Sequence, residues 1–84
     1  MDKLEIIEKL KSIIKPYVKD DEAFENLNEN TDFISDLRIN SANLVDIILD
    51  IEEVFDIVID NQSMEKMLDV KTTLLIIETK LIEK

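Results

Sequence analysis

A strongly amphipathic stretch from Ala42 to Asp56 constrains the fold of this chain more than any other feature. An α-helix turns by about 100° per residue, and at that period the apolar and acidic residues separate onto opposite sides. The apolar side comprises Leu44, Ile47, Ile48, Ile51, Val54 and Phe55, and the acidic side comprises Asp46, Asp50 and Glu53. The pattern predicts a helix that buries one face. Ser41 before it predicts an N-cap, whose hydroxyl oxygen accepts a hydrogen bond from the first turn.

The first segment predicts another helix, from about Lys3 to Tyr17. Its apolar residues recur at intervals of three and four, and they are Leu4, Ile7, Leu10, Ile14 and Tyr17. Asp2 and Glu5 have the spacing of a capping box. Pro16 predicts that the last turn is distorted or that the helix ends near Lys15.

The last segment predicts a third main helix, which Asp69 caps and which runs to about Ile82. Its buried stripe is expected to comprise Val70, Leu74, Ile77 and Leu81. The residues from Ser63 to Met67 are typical of one short helical turn. Ile57–Ile59 could form a strand, but the sequence offers no obvious partner for it.

Residues 18–40 form a long polar and acidic connection between the first two main helices. Its apolar residues are regularly placed, at Phe24, Leu27, Phe33, Ile34 and Leu37. We expect a packed loop with a turn of helix near Asp21–Asn26. Asn30, Thr31 and Asp32 indicate a chain reversal just before Phe33.

The composition favours an all-α fold. The chain has no glycine and only 5% aromatic residues, whereas a small β-barrel or sandwich needs turn glycines and strand formers. At 84 residues it is expected to be a single domain, residues 1–84, with too small a core to enclose a large catalytic pocket. The expected architecture is a small bundle of three main helices plus a short helix, with a long loop between the first two main helices.

The net charge of the chain disfavours nucleic acid as a partner and favours basic proteins. The formal net charge is −10, which disfavours nucleic acid because phosphates need a basic surface. From Ile39 to Glu65 there are seven acidic residues and no basic residue, which favours docking to basic partners.

No apolar run approaches membrane-spanning length, and no signal peptide precedes the first helix, so a cytoplasmic location without membrane insertion is expected.

The missing residue types disfavour an enzyme. Without histidine or cysteine the chain has no Ser-His or Cys-His nucleophile pair and lacks the usual zinc ligands, and without glycine it has no Walker loop or dinucleotide-binding motif. No catalytic residue and no metal site are therefore predicted. A calcium-binding protein is kept as an alternative for the acidic segment 56–65, although this segment lacks the glycine and ligand spacing of an EF-hand.

Several motifs together resemble the acyl carrier protein family. They are Phe33-Ile34-Ser35-Asp36-Leu37, then Ser41, then Ile51-Glu52-Glu53-Val54-Phe55-Asp56-Ile57 with Ile59, and then Met64-Glu65-Lys66-Met67 with Val70. The likeness spans nearly the whole chain. It implies that a separate phosphopantetheinyl transferase attaches 4′-phosphopantetheine from coenzyme A to Ser41, and that the thiol of this group carries acyl groups as thioesters. The positive end of a helix dipole, with its free amides, suits a phosphodiester there.

Two further sets of site residues are predicted, the first from the resemblance and the second from the position of Val45 and Leu49 among acidic residues at the edge of the helix face. Those expected to line a pocket for the acyl chain are Ile47, Ile51, Phe55, Ile59, Met67 and Ile77. Those expected to bind acyl-processing enzymes with basic docking surfaces are Val45, Asp46, Leu49, Glu52 and Glu53. The carrier is expected to be a monomer that serves fatty-acid, polyketide or related specialised biosynthesis.

The chain departs from the family pattern around Ser41. The usual Asp-Ser-Leu is Asn40-Ser41-Ala42 here, and Arg38 and Ile39 replace small residues. These changes remove negative charge and add a positive one, which makes a specialised pathway plausible. An unmodified acidic adaptor that binds basic proteins is the alternative from another functional class.

Overall fold

The computed structural model describes residues 2–84, and within that range it is an all-α bundle without a named strand. The helices are α1 (Lys3–Ile14), α2 (Asp21–Glu25), α3 (Asn43–Phe55), α4 (Asn61–Lys66) and α5 (Val70–Glu83), and a 3-10 helix at Lys15–Tyr17 continues α1. The prediction of three main helices joined by a long first loop is confirmed. The helical turns predicted near residues 21–26 and 63–67 are also present, as α2 and α4.

Helix α1 has the predicted limits but buries a different face. The Asp2 side chain accepts a hydrogen bond from Glu5 N at 2.8 Å, and α1 gives way to the 3-10 turn just before Pro16. Its buried residues are Ile6, Leu10, Ile13 and Ile14. The prediction was wrong for Leu4, which is 68% exposed, and for Ile7, which is only partly buried. Two pairs of adjacent isoleucines made two helix faces look equally apolar.

The apolar face of α3 is buried as predicted, with one exception. Leu44, Ile47, Ile48, Ile51 and Phe55 are all buried. Val54 lies outside this set and is 46% exposed. It sits at the edge of the apolar side, about 80° from the middle of the buried arc.

Segment 57–59 is not part of a strand. Ile57 and Ile59 are buried and Val58 between them is exposed, which is the alternation of an extended chain packed on a core. The isolated bridge within the described residues instead joins Asp32 to Asp69. In α5 the Asp69 side chain accepts from Thr72 N at 2.7 Å, as predicted. Val70, Leu74 and Ile77 are buried, and Leu81 is partly buried.

The long first loop is fastened to the start of α5 by backbone hydrogen bonds. Phe33 N donates to Leu68 O at 2.9 Å, and Val70 N donates to Thr31 O at 3.0 Å. Phe33 and Leu37 are buried in the common core, while Phe24 and Leu27 pack against it. Ile34, predicted as a further anchor, is exposed. The loop is therefore a packed part of the fold.

Asp32 holds this loop together and should make its stability depend on pH. Its Oδ1 accepts hydrogen bonds from Ile34 N and Ser35 N, both at 2.9 Å. The Ser35 N–H is the main reason why the pKa of Asp32 lies below its usual range, although partial burial opposes it. Because the folded-state pKa is the lower one, this stabilisation is present above the unfolded pKa of about 3.9. It is lost as the pH falls through the folded value.

We expect Asp32→Asn to lower the free energy of unfolding by about 1 kcal/mol at pH 7, since a neutral acceptor makes weaker bonds than a carboxylate. Urea unfolding at pH 7 and at about pH 3 measures this effect. The difference between the two proteins should shrink at the acidic pH. The exposed Glu25→Gln serves as the control. An equal loss at both pH values would contradict the role assigned to the Asp32 charge.

Candidate functional site

Ser41 lies on the surface between the end of the packed loop and the start of α3. The buried Ile39 anchors the chain just before it, with its N–H donating to Phe33 O at 2.9 Å. Arg38 adopts a left-handed backbone conformation, with φ at 59°. This conformation costs a non-glycine residue energy, so the surrounding packing must hold it. The position of Ser41 is thus set by a buried residue and a tight turn rather than by a flexible linker.

The structure corrects the capping role predicted for Ser41. The Asn40 side chain instead bonds the turn that precedes α3, because its Oδ1 accepts from Ala42 N at 2.9 Å in the local geometry that asparagine favours. The carbonyl of Asn40 accepts from Asn43 N at 2.8 Å, and the carbonyl of Ser41 accepts from Leu44 N at 3.2 Å. Helix α3 has no side-chain cap, and the Ser41 hydroxyl makes no hydrogen bond within residues 2–84. That hydroxyl is exposed to solvent.

The same hydrogen bonds reduce the number of free backbone amides that an anion would find at this end of α3. The amides of Ala42, Asn43 and Leu44 already have local acceptors, so the prediction of free amides there was wrong for these three. What remains is the positive end of the helix dipole, which stabilises a nearby negative charge. The sequence alone did not single out Asn40, because asparagine and serine are both good capping residues and are adjacent here.

The six residues predicted to line an acyl pocket are all buried. They are Ile47, Ile51, Phe55, Ile59, Met67 and Ile77, and they belong to one contiguous hydrophobic core. They come from α3, from the segments before and after α4, and from α5. Thr73 of α5 is equally buried but was not predicted, because a threonine in a helix gives no apolar signal.

Four of the five predicted docking residues form an exposed surface on α3. Val45 and Leu49 are 51% and 54% exposed, and Asp46 and Glu53 are exposed beside them. At 100° per residue these four side chains leave the helix within an arc of about 100°. No ion pair among residues 2–84 involves Asp46 or Glu53. We call these four residues the α3 surface.

Glu52, the fifth predicted docking residue, differs from the other four. It is half-buried, and its Oε2 accepts a hydrogen bond from Ile59 N at 2.8 Å. Its carboxylate therefore braces the segment that follows α3, in addition to flanking the α3 surface. This contact spans a left-handed turn at Asp56, where φ is 53°.

Within the part of the chain that the structure describes, no three carboxylates come together in a way that could hold a metal ion. In the acidic segment considered for calcium, Asp60 faces Lys80 at 3.7 Å. The side chain of Ser63 is the main reason why the pKa of Asp60 is lowered. No helix between residues 2 and 84 is both long enough and apolar enough to span a bilayer.

Comparison with known proteins identifies the family. No protein-family model matches the chain. An acyl carrier protein of Coprothermobacter proteolyticus is 32% identical over 84 residues, which cover the whole of both chains. An acyl carrier protein of Thermotoga maritima is 36% identical over 77 residues, or 92% of this chain and 93% of that one. One from Chlamydia felis is 39% identical over 54 residues, or 64% and 69% of the two chains. As its motifs predict, the chain belongs to the acyl carrier protein family.

Proposed function

We propose that this protein is a phosphopantetheine-dependent acyl carrier and that Ser41 is the attachment site. The observation that carries the proposal is the Ser41 hydroxyl, which is exposed at the start of the acidic helix α3 and makes no hydrogen bond to any residue from 2 to 84. A transferase needs such a hydroxyl, since a buried or capping serine would have to break contacts before it could react. Membership of the family supports the same assignment.

The residues around Ser41 fit the prosthetic group. A phosphodiester on Ser41 Oγ would sit near the positive end of the α3 dipole, and the chain has no carboxylate from Arg38 to Leu44 that would repel it. In the loading step the Ser41 oxygen bonds to the phosphorus that bears the pantetheine arm of coenzyme A. Adenosine 3′,5′-bisphosphate leaves, and the serine proton passes to a base of the transferase. When bound, the group supplies a thiol that holds acyl chains as thioesters.

The core and the α3 surface have separate tasks in this proposal. The six buried residues assigned to the acyl pocket shelter the acyl chain, while the α3 surface binds acyl-processing enzymes through basic docking surfaces. The carrier works as a monomer in fatty-acid, polyketide or related specialised biosynthesis. It is not itself a catalyst.

Loading with coenzyme A tests the proposal. The protein is incubated with coenzyme A and a broad-range phosphopantetheinyl transferase, and intact mass and peptide mapping locate the adduct. We expect a single adduct on the peptide that contains Ser41. An adduct on Ser12, Ser35 or Ser63, or none with any transferase tried, would overturn the assignment. The second outcome would favour the alternative, an unmodified acidic adaptor that binds basic proteins through the α3 surface.

Docking through the α3 surface gives a kinetic prediction. Glu53→Lys should slow association with the transferase several-fold at low salt and flatten its salt dependence, because exposed charges steer encounter. Leu49→Ala should mainly speed dissociation, since it removes apolar contact from the bound state. Stopped-flow or surface-plasmon kinetics at two ionic strengths separate the two effects. Glu53 is chosen over Glu52 because reversal at Glu52 would also break its hydrogen bond to Ile59.

The control for the docking prediction is Glu22→Lys, which reverses an exposed acidic charge on α2 instead of α3. It should leave both rate constants close to those of the native protein. Association that is indifferent to Glu53→Lys and to salt would rule out electrostatic docking by this surface.

The departure at Asn40 gives a prediction about loading rate. Asn40→Asp should speed loading by a fatty-acid-type transferase several-fold, because it adds a charge worth up to about 1 kcal/mol in an exposed pair. Aspartate keeps the acceptor that Ala42 N uses, so the turn should persist. The gain should shrink at high salt, where screening weakens exposed pairs. Initial loading rates at low and high ionic strength measure the effect.

Asn61→Asp, which adds the same charge at the start of α4, is the control for Asn40→Asp. It should load at the native rate. If Asn40→Asp loads no faster than the native protein at low salt, the missing charge does not distinguish this carrier.

A further inference from the structure

Within residues 2–84, the core of the bundle contains one hydroxyl without a hydrogen-bond partner. Only two polar side chains within residues 2–84 are buried, those of Thr31 and Thr73. The Thr31 hydroxyl oxygen accepts from Asn28 N at 2.9 Å. Thr73 Oγ1 has no hydrogen bond within the described residues, although Thr73 is 0% exposed. A buried group in this state calls for a physical explanation, because more than nine in ten such groups in proteins are paired.

Helix geometry does not supply the missing partner. At Thr79 the hydroxyl donates to the Leu75 carbonyl one turn earlier at 2.8 Å, which is the usual solution for a helical threonine. At Thr73 the corresponding carbonyl, that of Asp69, accepts from Thr73 N at 3.1 Å, and the hydroxyl makes no bond to it. Valine has almost the same shape and would fill the site without an unpaired polar atom. Packing alone therefore does not favour threonine at this position.

The neighbours of Thr73 on α5 are buried and apolar, and one of them, Ile77, is assigned to the proposed acyl pocket. On the inward face of α5, Thr73 lies three residues after Val70 and four before Ile77, both of which are buried. Side chains at these spacings stand about 5–6 Å apart at Cβ, so Thr73 and Ile77 are neighbours on the buried face of α5. A single water there would find few of the two to four polar partners that it needs. An acyl chain that enters beside Ile77 would come within reach of the hydroxyl.

We propose that Thr73 hydrogen bonds to an oxygen substituent on the acyl cargo, so that this carrier shelters hydroxyl- or keto-bearing chains in preference to unsubstituted ones. The inference rests on the proposed carrier function and specifies its cargo. A threonine hydroxyl both donates and accepts, so it can pair with either substituent. The oxygen substituent of the cargo would then be the hydrogen-bond partner that Thr73 Oγ1 lacks within residues 2–84.

The test compares cargoes on matched variants. The native protein, Thr73→Val and Thr73→Ser are loaded by a transferase from octanoyl-coenzyme A and from its 3-, 5- and 7-hydroxy derivatives. Thr72→Val makes the same change at the neighbouring half-buried position and is the control. The measurement is the midpoint of thermal unfolding of each loaded protein. Because the hydroxyl is placed at carbon 3, 5 or 7, one of the three derivatives should bring it near Thr73 whatever depth the acyl chain reaches.

In the native protein, at least one hydroxy isomer should raise the midpoint above that of the octanoyl form. This difference should be about 4 °C greater in the native protein than in Thr73→Val, which is the shift expected for one hydrogen bond in a domain of this size. Thr73→Ser and Thr72→Val should keep the native difference. Unloaded Thr73→Val should be at least as stable as the unloaded native protein.

Two failures can be told apart. In the first, every cargo loads on Ser41 while Thr73→Val leaves the difference in unfolding midpoint between each hydroxy form and the octanoyl form unchanged. In that case the role of Thr73 is overturned and the carrier function stands. If no cargo loads on Ser41, the proposed function itself fails, and the inference fails with it.

Discussion

Replacement of Ser41 by alanine is expected to abolish loading completely while leaving the fold unchanged. No other atom in the chain can replace a missing Oγ at the start of α3, so the mass of Ser41→Ala should not increase with coenzyme A and a transferase. Within residues 2–84 the Ser41 hydroxyl makes no hydrogen bond, and it is Asn40 that bonds the turn before α3. The free energy of unfolding should therefore change by no more than about 0.5 kcal/mol, as for other surface substitutions.

Two controls make the Ser41 experiment decisive. Ser35→Ala removes an exposed hydroxyl from the loop and should load at the native rate. Asn40→Ala removes the side chain that bonds Ala42 N and should destabilise the protein by about 0.5–1.5 kcal/mol, the net contribution of one hydrogen bond. Loading of Ser41→Ala to any extent would place the attachment site elsewhere. A large loss of stability in Ser41→Ala, with none in Asn40→Ala, would restore the capping role to the serine.

Replacement of Phe33 by alanine is expected to have the largest effect on stability. Phe33 is 1% exposed, and such truncations cost about 3–5 kcal/mol. A small domain has about 5–15 kcal/mol in total, so Phe33→Ala should lose a large fraction of the free energy of unfolding at 25 °C. Urea or thermal unfolding followed by circular dichroism measures the loss. Its size would establish that the first loop is part of the core.

Phe24→Ala is the matched control for Phe33. Phe24 lies in the same long connection but is only half-buried, packing on the outside of the core. Its truncation should cost clearly less than that of Phe33. Equal costs, or a cost below about 1 kcal/mol for Phe33→Ala, would mean that the loop packs more loosely than the backbone bonds from Phe33 to Leu68 and Ile39 indicate.

Periodicity predicted the helices well and their faces less well. The limits of α3 and α5 follow from the spacing of apolar residues and from Asp69. Leu4 and Val54 were placed on the wrong side because each stands at the edge of an apolar stripe. Which edge is covered depends on where the neighbouring helices lie, and the sequence of one helix does not contain that information.

At the site, the sequence located Ser41 but not the contacts that hold it. The motif around Ser41 and the acidic run after it lie close together in the chain and can be read directly. The hydrogen bond from Ile59 N to Glu52 cannot be predicted from the sequence, because it depends on a left-handed turn at Asp56 between the two residues. The burial of Thr73 depends in the same way on how α5 packs against the rest of the bundle.

Glu52 connects the exposed side of α3 with the hydrophobic core through one hydrogen bond. One of its oxygens is bonded to the amide of Ile59, a residue of the core, while the helix that carries it faces outward with Val45 and Leu49. A cation that pairs with Glu52 from outside competes with that amide for the same negative charge. By thermodynamic reciprocity, whatever loosens Ile59 also frees the carboxylate for an external cation. The α3 surface and the core are thus linked through a single side chain.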